Sequence, residues 1–305
     1  MRIVVGLGGN ALLRRDQALT SDNQAANIEA AADALAPLAE EHALVVVHGN
    51  GPQVGLLALQ DASMPEVGNF PLDILAAETS GMIGYPVARA LRNRLPERKV
   101  AGILTQIEVS PDDPAFADPT KPIGPVYDAS DAADLMRRFG WRMRPEGEGF
   151  RRVVPSPAPL RIVEMDAIRI LVDAGVLVLC AGGGGIPVVV DALGHTLGVE
   201  AVIDKDASAA LVAEELDADA LLLLTDVEAV MADFGSERQR PLRSLSPDEA
   251  DALDLAPGSM RPKVEAAARF VRATSRPAYI GNLRAATAIL RGERGTVVRT
   301  AGGGA

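Results

Sequence analysis

The sequence predicts an α/β fold assembled from βαβ units, and two observations carry that reading. Short β-branched or apolar runs recur along the chain, at residues 3–5, 44–47, 100–104, 176–180, 221–224 and 278–280. Each is followed by loop residues and then by a pattern of helical period, the alternation that a parallel sheet with crossover helices requires. At 305 residues the chain can bury a large core, enough for one large α/β domain or two ordinary ones.

The elements follow in order. After the first strand, Ile28, Ala31, Ala32, Leu35, Leu38 and Ala39 share one helical face, while Glu29, Asp33, Glu40 and Glu41 fall off it. Residues 70–95 read as a long helical region with Pro86 as a kink. Its apolar surplus, Ile74, Leu75, Met82, Ile83 and Val87, suits either the core or a subunit contact. Residues 111–159 are rich in Pro, Asp and Gly and hold the only Trp, Trp141. That is too long for an ordinary connection, so an inserted lobe or lid within a single domain over 1–305 is expected. A helix over 207–216 follows. Another carries Val264, Ala267, Ala268 and Val271 on one face, with Pro262 in its first turn, where the missing N–H costs nothing. Residues 301–305 read as a frayed end.

Composition narrows the function. The net charge of −11 and pI near 4.9 argue against a nucleic-acid or anionic-membrane surface. No apolar run reaches membrane-spanning length, and residues 1–5 read as a strand, so the cytosol is the expected compartment. The single Cys180 excludes an internal disulfide and sits in an apolar run as a core thiol. Three scattered histidines with one cysteine give no zinc pattern, and no metal-ligating residues are assigned.

In an open parallel sheet, ligands bind outside the carboxyl ends of the strands. The residues that follow the six strands are Gly6-Leu7-Gly8-Gly9-Asn10, His48-Gly49-Asn50-Gly51-Pro52-Gln53, Thr105-Gln106, Ala181-Gly182-Gly183-Gly184-Gly185, Thr225-Asp226 and Gly281-Asn282. Glycine lets backbone N–H groups approach an oxyanion, so three glycine loops on one sheet edge form a candidate anion cradle.

Lysine usage points the same way. Only four of the 30 basic residues are lysines, and Lys121, Lys205 and Lys263 stand in Pro- or Asp-flanked segments, settings for a compact ammonium rather than a planar fork. Lys263 in a first helical turn opposes the helix dipole, a broken local rule that suggests a bound negative partner. Lys205, between Asp204 and Asp206, reads either as a solvated helix start or as an ammonium aimed at a transferring phosphoryl group. Walker A is absent. Gly6-x-Gly8-x-x-Ala11 matches a dinucleotide fingerprint, but the second strand ends in His48-Gly49 without the acidic ribose ligand, so the dehydrogenase reading fails.

Taken together, the motifs resemble the amino acid kinase superfamily and, within it, the carbamate kinases. The likeness runs over nearly the whole chain: Gly8-Gly9-Asn10-Ala11-Leu12, His48-Gly49-Asn50-Gly51-Pro52-Gln53-Val54-Gly55, Ser80-Gly81-Met82-Ile83-Gly84-Tyr85, Asp113-Pro114-Ala115-Phe116, Pro119-Thr120-Lys121-Pro122, Val153-Val154-Pro155-Ser156-Pro157, Val202-Ile203-Asp204-Lys205-Asp206 and Gly258-Ser259-Met260-Arg261-Pro262-Lys263. The resemblance implies a three-layer α/β/α sandwich around a mainly parallel open sheet, a homodimer, and reversible phosphoryl transfer between ATP and carbamate with Mg²⁺. It assigns Gly8, Gly9, Asn10, Gly49, Asn50 and Gly51 to carbamate or carbamoyl phosphate. Lys121, Lys205 and Lys263 fall to the phosphates and the transferring group, with Asp204 and Asp206 orienting Lys205. Gly182, Gly183, Thr225, Asp226, Val227 and Met260 fall to the nucleotide. Arg261 and residues 227–239 depart from the family pattern. A relative acting on another small carboxylate or phosphonate is the alternative, and a non-catalytic sensor would not need all three lysines.

Overall fold

The chain opens with β1 (Arg2–Leu7), in which every residue from Ile3 to Leu7 is buried, as a strand with a partner on each side and helices on both faces demands. The computed structural model describes residues 1–13, 17–63, 70–255 and 260–300, apart from the side chains of Asn10 and Ala11. Asn10 as a side-chain ligand, Gly258, Ser259 and the 301–305 tail therefore lie outside the described residues.

A short α1 (Gly9–Leu12) leads to α2 (Ser21–Glu41), whose start is fixed by Thr20: its hydroxyl accepts from the Asn23 N–H, a cap contributing about 1 kcal/mol. The six residues that the sequence assigns to its inner face are all buried. β2 (Ala43–His48), α3 (Gly51–Ala62) and α4 (Leu72–Arg94) follow, Pro86 lying inside α4. Next come β3 (Val100–Gly102) and β4 (Gln106–Val109). The third strand thus ends two residues earlier than expected. After Gly102 the chain leaves the main sheet, and Gln106 turns to Glu164, which accepts from its backbone N–H and its side-chain amide.

The segment beyond β4 holds β5 (Lys121–Tyr127), α5 (Ala129–Phe139), β6 (Arg142–Glu146) and β7 (Gly149–Val154). The main body resumes with β8 (Pro159–Ile162), α6 (Met165–Asp173), β9 (Leu177–Leu179), β10 (Ile186–Val190), β11 (Thr196–Gly198), α7 (Lys205–Glu215) and β12 (Ala220–Thr225). It closes with the hairpin β13 (Met231–Ala232) and β14 (Arg240–Pro241), then β15 (Ser244–Leu245), α8 (Pro247–Asp251), α9 (Met260–Thr274), β16 (Ala278–Asn282), α10 (Ala286–Leu290) and β17 (Thr296–Val298).

The central sheet has the order β15-β17-β16-β12-β1-β2-β9-β3. All six sequence-derived strands lie in it as consecutive neighbours, mutually parallel; the reversal comes only where β17 meets β16. Alternate residues of β1 serve opposite cores. Ile3, Val5 and Leu7 pack with Ile28, Leu35, Ile83 and Ile289 from α2, α4 and α10. Val4, with Val45 and Val47 of β2, packs with Ile168, Val212 and Phe270 from α6, α7 and α9. Helices on both faces of one mainly parallel sheet make the three-layer α/β/α sandwich.

Cys180 directly follows β9 in this core, where burial pushes its thiol up to about 12. Such a group is a core filler and no nucleophile.

Between β4 and β8, the antiparallel sheet β5-β7-β6 and α5 form a separate lobe. Its Ile123, Leu135, Trp141 and Val154 pack against Val54, Ala58, Leu72 and Leu75 of α3 and α4. The contact is closest where two glycines meet: a Cβ at Gly55 would fall 1.9 Å from the Gly124 Cα.

Candidate active site

Three glycine loops meet at the carboxyl ends of β1, β2 and β9, three adjacent strands. Gly8 and Gly49 use their N–H groups to close this edge, donating to the carbonyl oxygens of Leu224 and Leu7 at 2.8 and 3.1 Å. Gly9 and Gly51 open α1 and α3, where first-turn N–H groups have no acceptor within the helix. The N–H groups suited to an oxyanion thus come from Gly9 and Gly51. Gly8 and Gly49 contribute thinness instead: a Cβ on Gly49 would lie 2.8 Å from Cδ of Lys205.

Behind the loops stands α4. Thr79, fully buried, accepts a hydrogen bond from the Asn50 amide at 2.7 Å, and Ser80 donates to the Gly182 carbonyl oxygen at 2.8 Å. His48 lies against Gly182, and burial pulls its imidazole down to about 4, so the ring is neutral at physiological pH. On the far side, Ala181 N–H donates to the Thr105 hydroxyl, and the Ser208 hydroxyl donates to the Gly184 carbonyl. Thr79, Thr105 and Ser208 carry no motif of their own in the sequence. Their importance comes from helix and loop neighbours distant along the chain, which periodicity does not reveal.

The charged cluster forms where α7 begins. Asp204 is the N-cap residue, its Oδ1 accepting from the N–H groups of Asp206 and Ala207. That cap turns Lys205 and Asp206 back over the sheet edge. Lys121 reaches in from β5 of the lobe and binds Asp204 Oδ2 at 2.5 Å. Lys205 and Lys263 both bind Asp206 Oδ2 at 3.0 Å, and both Asp206 and Lys263 are 2% exposed. Asp204 therefore orients Lys121 directly, and Asp206 is the direct partner of Lys205. The three lysines lie far apart in sequence, yet two carboxylates gather all of them.

Burial works to raise the Asp204 carboxyl, but the ammonium groups of Lys121 and Lys205 outweigh it and hold it well below the usual carboxylate range. For Lys205, burial is outweighed by Asp206 and Asp204, which raise its ammonium. For Lys263, burial prevails and lowers it against the pull of Asp206. With all five ionised, three ammonium groups face two carboxylates, leaving one net positive charge in a dry setting where anion attraction is strong.

The residues expected around a nucleotide divide. Thr225 ends β12 and Asp226 follows it, the Thr225 hydroxyl donating to Asp226 Oδ1 at 3.0 Å, with Val227 next and Asn282 donating to the Asp226 carbonyl. Met260 opens α9 one turn before Lys263. Gly182 and Gly183 follow β9 instead, separated from β12 by two strands, and touch His48 and Asn50. Sheet order puts them beside the loop expected to hold carbamate, two strands from Thr225 and Asp226.

The amino acid kinase family model matches residues 1–282. A carbamate kinase of Rhizobium meliloti is 50% identical over 98% of this chain and 93% of its own length. One from Escherichia coli K12 is 49% identical over 97% and 98%. The chain belongs to the amino acid kinase family, in its carbamate kinase branch. A solved carbamate kinase of Giardia lamblia bound to AMP-PNP superposes with a TM-score of 0.90 at 38% identity, covering 98% of both chains. In this amino acid kinase chain, the departures noted in the sequence lie at the rim of the site. Arg261 donates to the Leu255 carbonyl, and residues 227–239 include β13 and the loop that joins it to β14, with Phe234 largely exposed.

Proposed function

We propose that the chain catalyses reversible phosphoryl transfer between ATP and carbamate, forming ADP and carbamoyl phosphate. The observation that carries this is the convergence of Lys121, Lys205 and Lys263 on Asp204 and Asp206 beside a glycine-loop edge. Phosphoryl transfer asks a protein chiefly for positioning and charge stabilisation, and this cluster offers both. Carbamate is already an anion, so the attacking oxygen needs no general base. A neutral His48 in the wall fits that requirement.

In this reading the Gly9 and Gly51 N–H groups and the Asn50 amide hold carbamate, with Gly8, Gly49, Gly182 and Gly183 giving the loops room. Lys205, raised by its two carboxylates, bears on the group in flight. Lys263 and Lys121 bear on the flanking phosphate oxygens. Thr225, Asp226, Val227 and Met260 border the nucleotide. Among the described residues no three His, Cys, Asp or Glu side chains converge. Mg²⁺ would be supplied with the nucleotide and would add positive charge at the transferring phosphates.

The lobe, which supplies Lys121, acts as a lid. The chain works as a homodimer in the cytoplasm, and the face of α4 that carries Ile74, Met82 and Tyr85 into solvent is the surface suited to pairing. No helix among the described residues is long and apolar enough to cross a membrane.

The test is product formation. Folded protein given ADP, Mg²⁺ and carbamoyl phosphate should yield ATP, while NAD should leave Tm unchanged and ADP should raise it. ATP no higher than the protein-free blank would refute the proposal.

A further inference from the structure

Thr79 has no exposed surface, and its hydroxyl meets two kinds of group. Oγ1 stands 2.8 Å from the Leu75 carbonyl oxygen and 3.1 Å from that of Ala76, in the preceding turn of α4. It also stands 2.7 Å from Nδ2 of Asn50. A hydroxyl has one proton, and the helix carbonyls, which only accept, take it. Oγ1 must then meet Asn50 as an acceptor, a role that the amide nitrogen alone satisfies. A flipped amide would set two acceptors against each other at the same distance. Gly183 packs against the whole amide: a Cβ there would fall 2.2 Å from Nδ2 and 2.9 Å from Oδ1, and its φ of +74° suits glycine. Among the described residues, Oδ1 of Asn50 accepts no hydrogen bond.

We infer that Thr79 is a positioning residue for acceptor selectivity: by holding the Asn50 amide with Nδ2 toward α4, it leaves Oδ1 to receive the amino group of carbamate. The inference rests on the proposed carbamate reaction. A carbamate carries an N–H donor where acetate carries a methyl group of similar size. An oxygen acceptor at that point gains a hydrogen bond from the amino group and is left unsatisfied by the methyl. The flipped amide would offer N–H to N–H and favour neither. Thr79 touches no substrate and acts through Asn50.

The experiment compares kcat/KM for carbamoyl phosphate and for acetyl phosphate, with ADP and Mg²⁺ saturating, in the wild type, T79V and T79S. T79V keeps the shape and removes the hydroxyl. The carbamoyl-to-acetyl ratio should fall about 10-fold or more, with the loss confined to carbamoyl phosphate and the KM for ADP unchanged. T79S keeps the hydroxyl and should restore the ratio. T79A is a second variant expected to show the same loss if T79V folds poorly. Equal losses on both substrates would mean that Thr79 only supports the helix, and an unmoved ratio would mean that the amide is held by something else; either overturns the inference. If the wild type itself makes no ATP from carbamoyl phosphate, the proposed function falls with it, whereas an active wild type with an unmoved ratio removes the role of Thr79 alone.

Discussion

Lys205 and Lys263 place their ammonium nitrogens on the same oxygen of Asp206, Oδ2, each at 3.0 Å. Two cations at one oxygen repel, and the burial of Asp206 and Lys263 weakens the screening between them. The free protein thus holds a site of net positive charge, and under the proposed function a phosphate would relieve the repulsion. Asp206 is the neutralising group, and its other oxygen, Oδ1, is buried without a hydrogen-bond partner among the described residues.

Removing that neutralisation should cost stability as well as activity. Asp206→Asn leaves two buried ammonium groups facing an amide, and breaking a buried pair costs about 3–5 kcal/mol. A Tm lower by on the order of 10 °C is expected, together with loss of ATP formation. Adding Lys263→Met should recover part of the Tm and none of the activity. An unchanged Tm in Asp206→Asn, read by calorimetry, would show that the cluster is better solvated than its geometry indicates.

The lobe offers a second test, because Lys121 arrives on a strand that packs on α3 through Gly55 and Gly124. Gly55→Ala would drive a Cβ into the Gly124 backbone, shift β5 and draw Lys121 away from Asp204. Its kcat should fall in the same direction as that of Lys121→Ala. Hydrogen exchange across residues 111–159 should slow when ADP and carbamoyl phosphate are both bound. Wild-type kcat in Gly55→Ala, or unchanged exchange with both ligands bound, contradicts a closing lobe.

His48 gives a pH signature. The unfolded chain takes a proton at this group below about 6.5, the folded protein only below about 4. Between those values unfolding takes up a proton, so native stability rises with pH; the penalty is absent above about 6.5 and reaches about 3 kcal/mol near pH 4. The stability advantage of the wild type over His48→Gln, measured by urea unfolding, should shrink by that amount from pH 7 to pH 4. A pH-independent difference would mean that the ring is hydrated in the folded state.

Much of this was legible in the sequence, for identifiable reasons. Six strands of the central sheet announce themselves as apolar runs, most clearly β1, β2, β9 and β12, which are buried on both faces, and the inner face of α2 shows a clean helical period. The second sheet, β11-β10-β4-β8, and the strands β15 and β17 at one end of the central sheet did not, since they are short and partly exposed. At the site, Lys121, Lys205 and Lys263 stood out because lysine is scarce here. Lys205 showed its carboxylate partners by adjacency, whereas the pairing of Lys121 with Asp204 and of Lys263 with Asp206 could not be read, because it depends on how the lobe and α9 approach α7. The contact of Gly182 and Gly183 with His48 and Asn50 could not be read either, because it depends on the strand order. Thr79 was invisible, being one small polar residue in a long helix.

The account turns on Lys205, whose ammonium is raised by Asp206 and Asp204 and lies over Gly49 at the glycine-loop edge. The most direct measurement is kcat for ATP formation from ADP and carbamoyl phosphate in Lys205→Ala and Lys205→Arg, with Tm recorded for both. Lys205→Ala should lower kcat by about 10²- to 10³-fold, the scale of one preorganised electrostatic donor. Lys205→Arg should rescue little, because a planar guanidinium cannot occupy the same point between Gly49 and Asp206. Near-wild-type kcat in both variants, with native Tm, would contradict the account and leave Lys205 a charge that merely begins a helix.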